Sequence, residues 1–241
     1  MNFNFIPQSK KTIGILGGMG PAASALLYQR LIVTAQKKYH AEQDTDFPPI
    51  FIYNLPLIGF DETGFTDPLL VREQLIHGVE KLAAAGSDFV IIACNTAHYF
   101  SPAMQSAIPV PIISIIDETV KQVAAAHYSS VGVISSASTA KLLVYQQALE
   151  NNGIRVIGPS AEEQLILNEV ILHVMMGIPG VTDITNLKQI ITHLEEQGAE
   201  AIILGCTELP LAIDQSHIAL PLFDTIQVIT EAALERTFSG N

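Results

Sequence analysis

The chain has 241 residues, of which 49% are hydrophobic and only 15% charged, as expected for a folded globular protein with a sizeable core. Its formal net charge of -12 disfavours binding to nucleic acid and to anionic membranes, both of which require lysine and arginine. No apolar run approaches the roughly 20 residues that span a bilayer, and the first residues lack an apolar signal core, so we expect a cytoplasmic protein.

Apolar strands alternate with helical patterns along the chain, which is typical of parallel sheets with right-handed crossovers. The predicted elements of the first half are a strand at 12–17, a helix at about 21–38, a strand at 49–54, a helix to Ala85, a strand that ends at Cys94, a strand at 111–114 and a helix to about Ala126. Those of the second half are a strand at 131–136, a helix capped by Ser138 that runs to about Glu150, a strand at 154–158, helices at about 161–175 and 183–197, a strand that ends at Cys206, and a last strand and helix from 220 onward.

Two stretches, 88–98 and 200–210, look like copies of one another. Each is a continuous apolar run that leads to a cysteine and polar residues, and each follows a helical pattern that closes on a glycine, Gly86 or Gly198. The two glycines lie 112 positions apart, and so do the two cysteines, which are the only ones in the chain. The sequence therefore predicts an α/β fold of two pseudo-twofold lobes, each a parallel sheet flanked by helices, with the active site in the cleft between them.

The last strand and helix are expected to return to the first lobe. We therefore assign residues 1–115 and 221–241 to the first lobe and residues 116–220 to the second. Ligands of parallel sheets bind beyond the carboxyl ends of the strands, where the glycine-rich turn and both cysteine turns are predicted to lie.

The glycine-rich turn at 14–20 does not have the spacing of a dinucleotide site. It reads G-x-x-G-G-x-G, and the second strand ends in Asn54 where an acid would bind a ribose hydroxyl, so nicotinamide and flavin are disfavoured. Cys94 and His98 could share one helical face, but two ligands do not close a zinc site. We predict no metal and no cofactor, and we interpret His98 as a local hydrogen-bond partner.

The two cysteines have either a structural or a chemical interpretation. One cysteine alone is as readily a small buried apolar residue as a functional one. Two cysteines at equivalent positions of a repeat favour a chemical role. Hydrogen-bonding residues follow each thiol, and such residues would need hydrogen-bond partners if they were buried only for packing. Two facing thiols suit proton transfer on opposite sides of a carbon, and we expect helix N-termini to stabilise the thiolate. The donors predicted to hold a substrate carboxylate are the backbone amides of Gly18 to Gly20 and the side chains of Asn95, Thr96, Ser135, Thr139 and Thr207.

Three motifs carry a resemblance to a known family: IGILGGMGP at 13–21, ACNTAH at 93–98 and GCTELP at 205–210. On these motifs the chain resembles the aspartate/glutamate racemase superfamily over nearly its whole length, and is most similar to the aspartate racemase branch. The resemblance implies a cofactor-independent, two-base amino-acid racemase in which Cys94 and Cys206 each remove or deliver the alpha proton for one enantiomer. It also implies a homodimer.

The resemblance places further residues around the substrate, with Glu208 positioned to assist the second thiol. The full predicted substrate-binding set is Met19, Gly20, Asn54, Asn95, Thr96, Ser135, Thr139, Thr207 and Glu208.

Two loops depart from the pattern of aspartate-specific relatives. Those relatives often carry an arginine in the loop after the second strand, where this chain has residues 58–63 and no base, and a lysine where it has residues 177–180. Asp61 and Glu62 would further disfavour a second substrate carboxylate if they faced inward. A neutral or bulkier amino acid is therefore an open alternative. Arg30 and Arg155 are not expected to reach the cleft.

Other functions stay open on the residues alone. One is an isomerase, hydantoin racemase or decarboxylase of the same fold that uses one of the cysteines. Another is a two-lobed binder of small molecules without catalysis.

Overall fold

The computed structural model describes residues 10–61 and 63–239, so the predictions for the first residues and for Glu62 lie outside the described residues. The strands, in chain order, are β1 (Ile13–Gly17), β2 (Ile50–Asn54), β3 (Phe60–Asp61), β4 (Gly64–Phe65), β5 (Phe89–Ile92), β6 (Ile112–Ile113), β7 (Ser130–Ile134), β8 (Arg155–Ile157), β9 (Ala201–Leu204) and β10 (Leu222–Asp224). The α-helices are α1 (Pro21–Tyr39), α2 (Pro68–Ala84), α3 (Ser101–Ala107), α4 (Ile115–Ala125), α5 (Ala137–Lys141), α6 (Gln146–Glu150), α7 (Ala161–Met175), α8 (Val181–Glu196) and α9 (Thr225–Phe238). Within these residues, every helix is too short or too polar to cross a bilayer.

Two parallel sheets with the same topology form the framework. The first has the strand order β2-β1-β5-β6, and the second reads β8-β7-β9-β10 in the same sense. Counted from its own first strand, each sheet therefore has the order 2-1-3-4. The predicted α/β fold of two repeated parallel sheets flanked by helices is confirmed.

The repeat extends to single side chains. Gln105 donates from Nε2 to the carbonyl of Val110 (3.0 Å) and accepts at Oε1 from the Ile112 amide (2.8 Å), which fixes the turn before β6. Gln215 does the same for Leu220 and Leu222 before β10, at 2.9 Å in both bonds. The glycines that close α2 and α8 both have positive φ, as the helix-closing pattern predicts.

Three apolar clusters hold the lobes together. The largest lies between the sheets, where the inner faces of β1 and β5 and of β7 and β9 pack on α1, α4 and α9. The outer face of the first sheet packs on α2 and α3, and that of the second on α7 and α8. Because β1, β5, β7 and β9 are covered on both faces, their sequences are continuous apolar runs without alternation.

The chain terminus divides between the lobes. Helix α9 packs on α1 of the first lobe and also on α4, most of which was assigned to the second lobe. Strand β10, in contrast, hydrogen-bonds to β9 and completes the second sheet, so placing it in the first lobe was wrong. The physical reason is the repeat itself, since β10 is the counterpart of β6. The division into lobes otherwise stays a prediction.

The predicted helix from Ser138 to Glu150 is two helices. Ser136, not Ser138, is the N-cap of α5, and its side chain accepts from the amide of Thr139. The chain then turns at Leu143, whose φ is 53°, before α6 begins. This break turns Tyr145 inward, where it is almost fully buried.

Candidate active site

A cavity of about 180 Å³ lies between the carboxyl ends of the two sheets, and both lobes line it. The predicted site residues that line it are Met19, Gly20, Cys94, Asn95, Thr96, Thr139, Cys206, Thr207 and Glu208. The two thiols come from equivalent positions, because each cysteine lies two residues beyond a central strand, β5 or β9. Residues 112 positions apart in the chain therefore share one small cavity.

Two predicted residues do not line this cavity. Asn54 ends the edge strand β2 and is exposed. Ser135 lines a different depression together with Val133, because side chains two apart in an extended chain point the same way. Ser136 takes its place in the cavity. The sequence offered one signal for Ser136, which is that a serine is a typical N-cap of a helix. The prediction assigned that cap to Ser138, whereas Ser136 caps α5.

Three hydroxyls from the two lobes form one cluster at the cavity wall. Thr96 Oγ1 lies 2.7 Å from Thr139 Oγ1 and 3.4 Å from Ser136 Oγ, and the last two are 3.2 Å apart. Hydroxyls rotate, so such a cluster can turn its O–H bonds toward a ligand carboxylate. Asn95 is less free, because its Oδ1 accepts from Tyr145 (2.6 Å) and its Nδ2 donates to Thr225 (3.3 Å).

Two of the three amides predicted to bind an anion at the glycine-rich turn are already used within the protein. The Gly18 amide donates to Ser24 Oγ (2.9 Å), and the Gly20 amide donates to Glu208 Oε1 (2.9 Å). The second oxygen of Glu208 accepts from the Cys206 thiol and from Thr207 Oγ1, both at 3.0 Å. The buried Glu208 carboxylate thus connects the first lobe to the second thiol.

The surroundings of both thiols favour the protonated form. Burial, and then the negative charge of Glu208, raises the pKa of Cys94 to about 12, although the Ala97 and Thr96 amides act against this. Burial and Glu208 likewise raise the pKa of Cys206 well above its usual value. Helical turns do begin beside the thiols, at Thr96–Phe100, which continues into α3, and at Leu209–Leu211. The amides of Ala97 and Thr96 lower the pKa of Cys94, as expected of a helix N-terminus, but burial has the larger effect.

His98 is a local hydrogen-bond partner, as predicted. The Ile115 amide donates to its Nε2 (3.2 Å), so the proton resides on Nδ1, which donates to the carbonyl of Cys94 (2.8 Å). Burial lowers the pKa of His98 from 6.5 to about 4. In residues 10–61 and 63–239 no three His, Cys, Asp or Glu side chains are grouped as metal ligands would be.

Because His98 must stay neutral when folded, we expect acid to destabilise the protein through it. The unfolded chain binds a proton at His98 below pH 6.5, whereas the folded chain binds it only near pH 4. The contribution of neutral His98 to the free energy of unfolding is therefore complete above pH 6.5 and is lost as the pH falls from 6.5 to 4. The loss is on the order of 3 kcal/mol. Urea unfolding from pH 7 to pH 4.5 should show a shallower pH slope for His98→Gln than for the wild type. His77→Gln, at an exposed position, is the control, and equal slopes for all three proteins would contradict the assignment.

Gly18 positions the first loop through close backbone contact. Its φ is 101°, and a Cβ there would lie 2.2 Å from the carbonyl oxygen of Leu55. Gly86 is a matched control, because its φ is 98° and nothing lies within 4 Å of an added Cβ. We expect Gly86→Ala to cost about 1–2 kcal/mol from the backbone conformation. Gly18→Ala should cost at least about 2 kcal/mol more, since backbone atoms must move. Equal losses in denaturant unfolding would rule out the close contact.

Comparison with known proteins agrees with this geometry. Residues 16–233 match the Asp/Glu/Hydantoin racemase family. The broad specificity amino-acid racemase RacX of Bacillus subtilis is 30% identical over 223 residues, which cover 92% of this chain and 96% of RacX. An aspartate racemase homologue from Pyrococcus horikoshii has a TM-score of 0.77 and 29% identity, over 93% of this chain and 98% of that one. The aspartate racemase of Picrophilus torridus shares the fold, with a TM-score of 0.81, 24% identity and 93% of each chain covered.

Two repeated parallel lobes around one cleft, together with these similarities, define an enzyme of the racemase class of isomerases. The chain belongs to the Asp/Glu/Hydantoin racemase family.

Proposed function

We propose that the protein is a cofactor-independent amino-acid racemase that inverts the alpha carbon by two-base proton transfer between Cys94 and Cys206. The observation that carries this proposal is the pairing of thiols from equivalent positions of two lobes in one small cavity. An alpha carbon between them can lose its proton on one side and gain a proton on the other. The similarity to RacX supports an amino acid as the substrate.

The hydroxyl cluster of Thr96, Ser136 and Thr139 is the proposed site for the substrate's alpha-carboxylate. Its donors would also stabilise the negative charge that spreads onto this carboxylate when the alpha proton leaves. The alpha-ammonium group supplies the positive charge that the side chains of the cavity wall lack. Its entry next to the buried thiols lowers the cost of forming a thiolate, because an opposite charge favours the ionised form.

The two thiols are not equivalent in this proposal. Cys206 donates its proton to Glu208 Oε2 across 3.0 Å, so it can pass that proton to the carboxylate and act as the base. Among the described residues, Cys94 has no such carboxylate partner and starts as the acid. After one turnover Cys206 holds the former alpha proton, Glu208 holds the proton that Cys206 first released, and Cys94 is the thiolate that acts as base on the opposite enantiomer.

Exchange of the alpha proton in deuterated water tests the function. Purified protein, with no added cofactor, should introduce deuterium at the alpha carbon of at least one amino acid and convert each enantiomer of it to the racemate. Treatment with a carbonyl reagent that traps pyridoxal phosphate should leave the rate unchanged. Ligand-induced thermal stabilisation across the amino-acid panel without any exchange would instead indicate a binding protein.

We also propose a homodimer located in the cytoplasm. The edge strand β2 exposes Phe51 and Ile52, and exposed apolar edges are commonly covered by a partner. Two free thiols suit a reducing compartment. Analytical ultracentrifugation should give twice the chain mass for the wild type and a single chain mass for Ile52→Lys. A wild-type monomer at micromolar concentration would contradict the dimer.

A further inference from the structure

We propose that the substrate carries an uncharged, apolar side chain, and that aspartate and glutamate are poor substrates. This inference rests on the proposed racemase function and adds the class of amino acid. It comes from the charges and the apolar wall of the cavity between the lobes.

No positive side chain lines the cavity. All lysines and arginines of the chain are among the described residues, and none contributes to its wall. The four arginines have other partners. Arg30 pairs with Asp224 (2.6 Å), Arg72 with Glu73 (2.8 Å), Arg155 donates to the carbonyl of Gln197 (3.4 Å), and Arg236 lies over the ring of Phe89.

Two carboxylates of the protein, Asp61 and Glu208, line the cavity instead. Glu208 already occupies the amide of Gly20, which could otherwise have bound a substrate anion. The hydroxyl cluster can accommodate one carboxylate, the one that every amino acid has. A second substrate carboxylate would lie beside the buried Glu208 carboxylate, and near the exposed Asp61, with no cation in the cavity wall, which is unfavourable.

Part of the wall is apolar. Leu57 and Phe60 of the first lobe and Ile171 and Met175 of the second contribute to it. Met175 extends from the end of α7 toward the first loop, where its methyl group lies 4.0 Å from a Cβ built on Gly20. Although it lines the cavity, Met175 is 45% exposed, so an apolar side chain placed against it would bury surface that now faces water. Leucine and methionine have side chains of this kind.

A panel of matched amino acids tests the preference. Alpha-proton exchange should be fastest for methionine and leucine, slower for glutamine, and about a hundredfold slower or more in kcat/KM for glutamate, which has the shape of glutamine but carries a charge. A preference for aspartate or glutamate would overturn the inference and leave the racemase function intact. Exchange with no amino acid at all would refute the racemase function itself.

A variant that adds a cation to the cavity wall tests where the substrate side chain binds. Met175→Arg should raise the ratio of glutamate to methionine kcat/KM about tenfold, because a carboxylate gains a charged partner. Met176→Arg is the matched control, since Met176 is the next residue, is 61% exposed and does not line the cavity. An unchanged ratio in Met175→Arg, or an equal rise in Met176→Arg, would overturn the placement of the side-chain subsite.

Lys141 lies on α5, two residues beyond the cavity-lining Thr139, but it does not line the cavity. Its ammonium donates to the carbonyl of Thr63 (3.3 Å) in the hairpin of β3 and β4. If Lys141 turned inward to hold an acidic side chain, Lys141→Met would lower glutamate exchange and spare methionine exchange. We expect the ratio of the two rates to stay unchanged, and a selective loss for glutamate would overturn the inference.

Discussion

Serine in place of either Cys94 or Cys206 is expected to reduce racemisation about a thousandfold, because an alcohol replaces the acid or base that acts on one side of the alpha carbon. Racemisation in both directions must fall together. The two enantiomers have equal free energies, so kcat/KM for the forward and reverse reactions stays equal in every variant. The loss of turnover alone therefore cannot say which thiol serves which enantiomer.

Exchange without inversion separates the two thiols. In deuterated water, the remaining cysteine of each variant can still remove the alpha proton from the enantiomer that faces it and return a deuteron on the same side. Cys94→Ser should exchange one enantiomer and Cys206→Ser the other, as measured by NMR of the recovered substrate.

Ser101→Ala is a suitable control for these variants. The Ser101 hydroxyl is buried without a hydrogen-bond partner among the described residues, and it does not line the cavity. Its removal should leave turnover unchanged. Normal racemisation by both cysteine variants would refute the two-base proposal. The loss of activity in only one of them would indicate a reaction that uses a single cysteine.

Glu208→Gln is expected to have the next largest effect, a loss of about a hundredfold in turnover. Glutamine can fill the same space but cannot take the proton from Cys206. Exchange at the enantiomer that faces Cys206 should therefore fall much more than exchange at the enantiomer that faces Cys94. Glu200→Gln is the control, since this carboxylate accepts from the amides of Ser129 and Ser130, away from the cavity.

In Glu208→Gln the pKa values of both thiols should fall, although catalysis becomes slower. The negative charge of Glu208 raises the pKa of both cysteines, so its removal lowers both, and alkylation by iodoacetamide should begin at a lower pH than in the wild type. Because unfolding would also expose both thiols and slow catalysis, these measurements use variant protein whose midpoint of urea unfolding matches that of the wild type. Unchanged exchange at both enantiomers would contradict the role of Glu208 as the proton acceptor.

The sequence by itself determined the fold class and the equivalent positions of the two cysteines in the repeat. Strands β5 and β9 are buried on both faces, so they appear as unbroken apolar runs that a single sequence can reveal. Gly86 and Gly198 have positive φ, a conformation that favours glycine, so a glycine stands at the end of each helix. These two glycines made the repeat visible in the sequence. Because equivalent strands of a repeat end at the same edge of their sheets, the place of both thiols followed from their spacing.

Only the tertiary structure decided what the groups around the thiols do. Whether Ser135 or Ser136 faces the cavity depends on one residue of register, and whether β10 joins the first or the second sheet depends on strand pairing; local patterns fix neither. The contact of Glu208 with Gly20 joins residues 188 positions apart. The thiol pKa values, finally, depend on burial and on that carboxylate, because desolvation and charge act through space rather than along the chain.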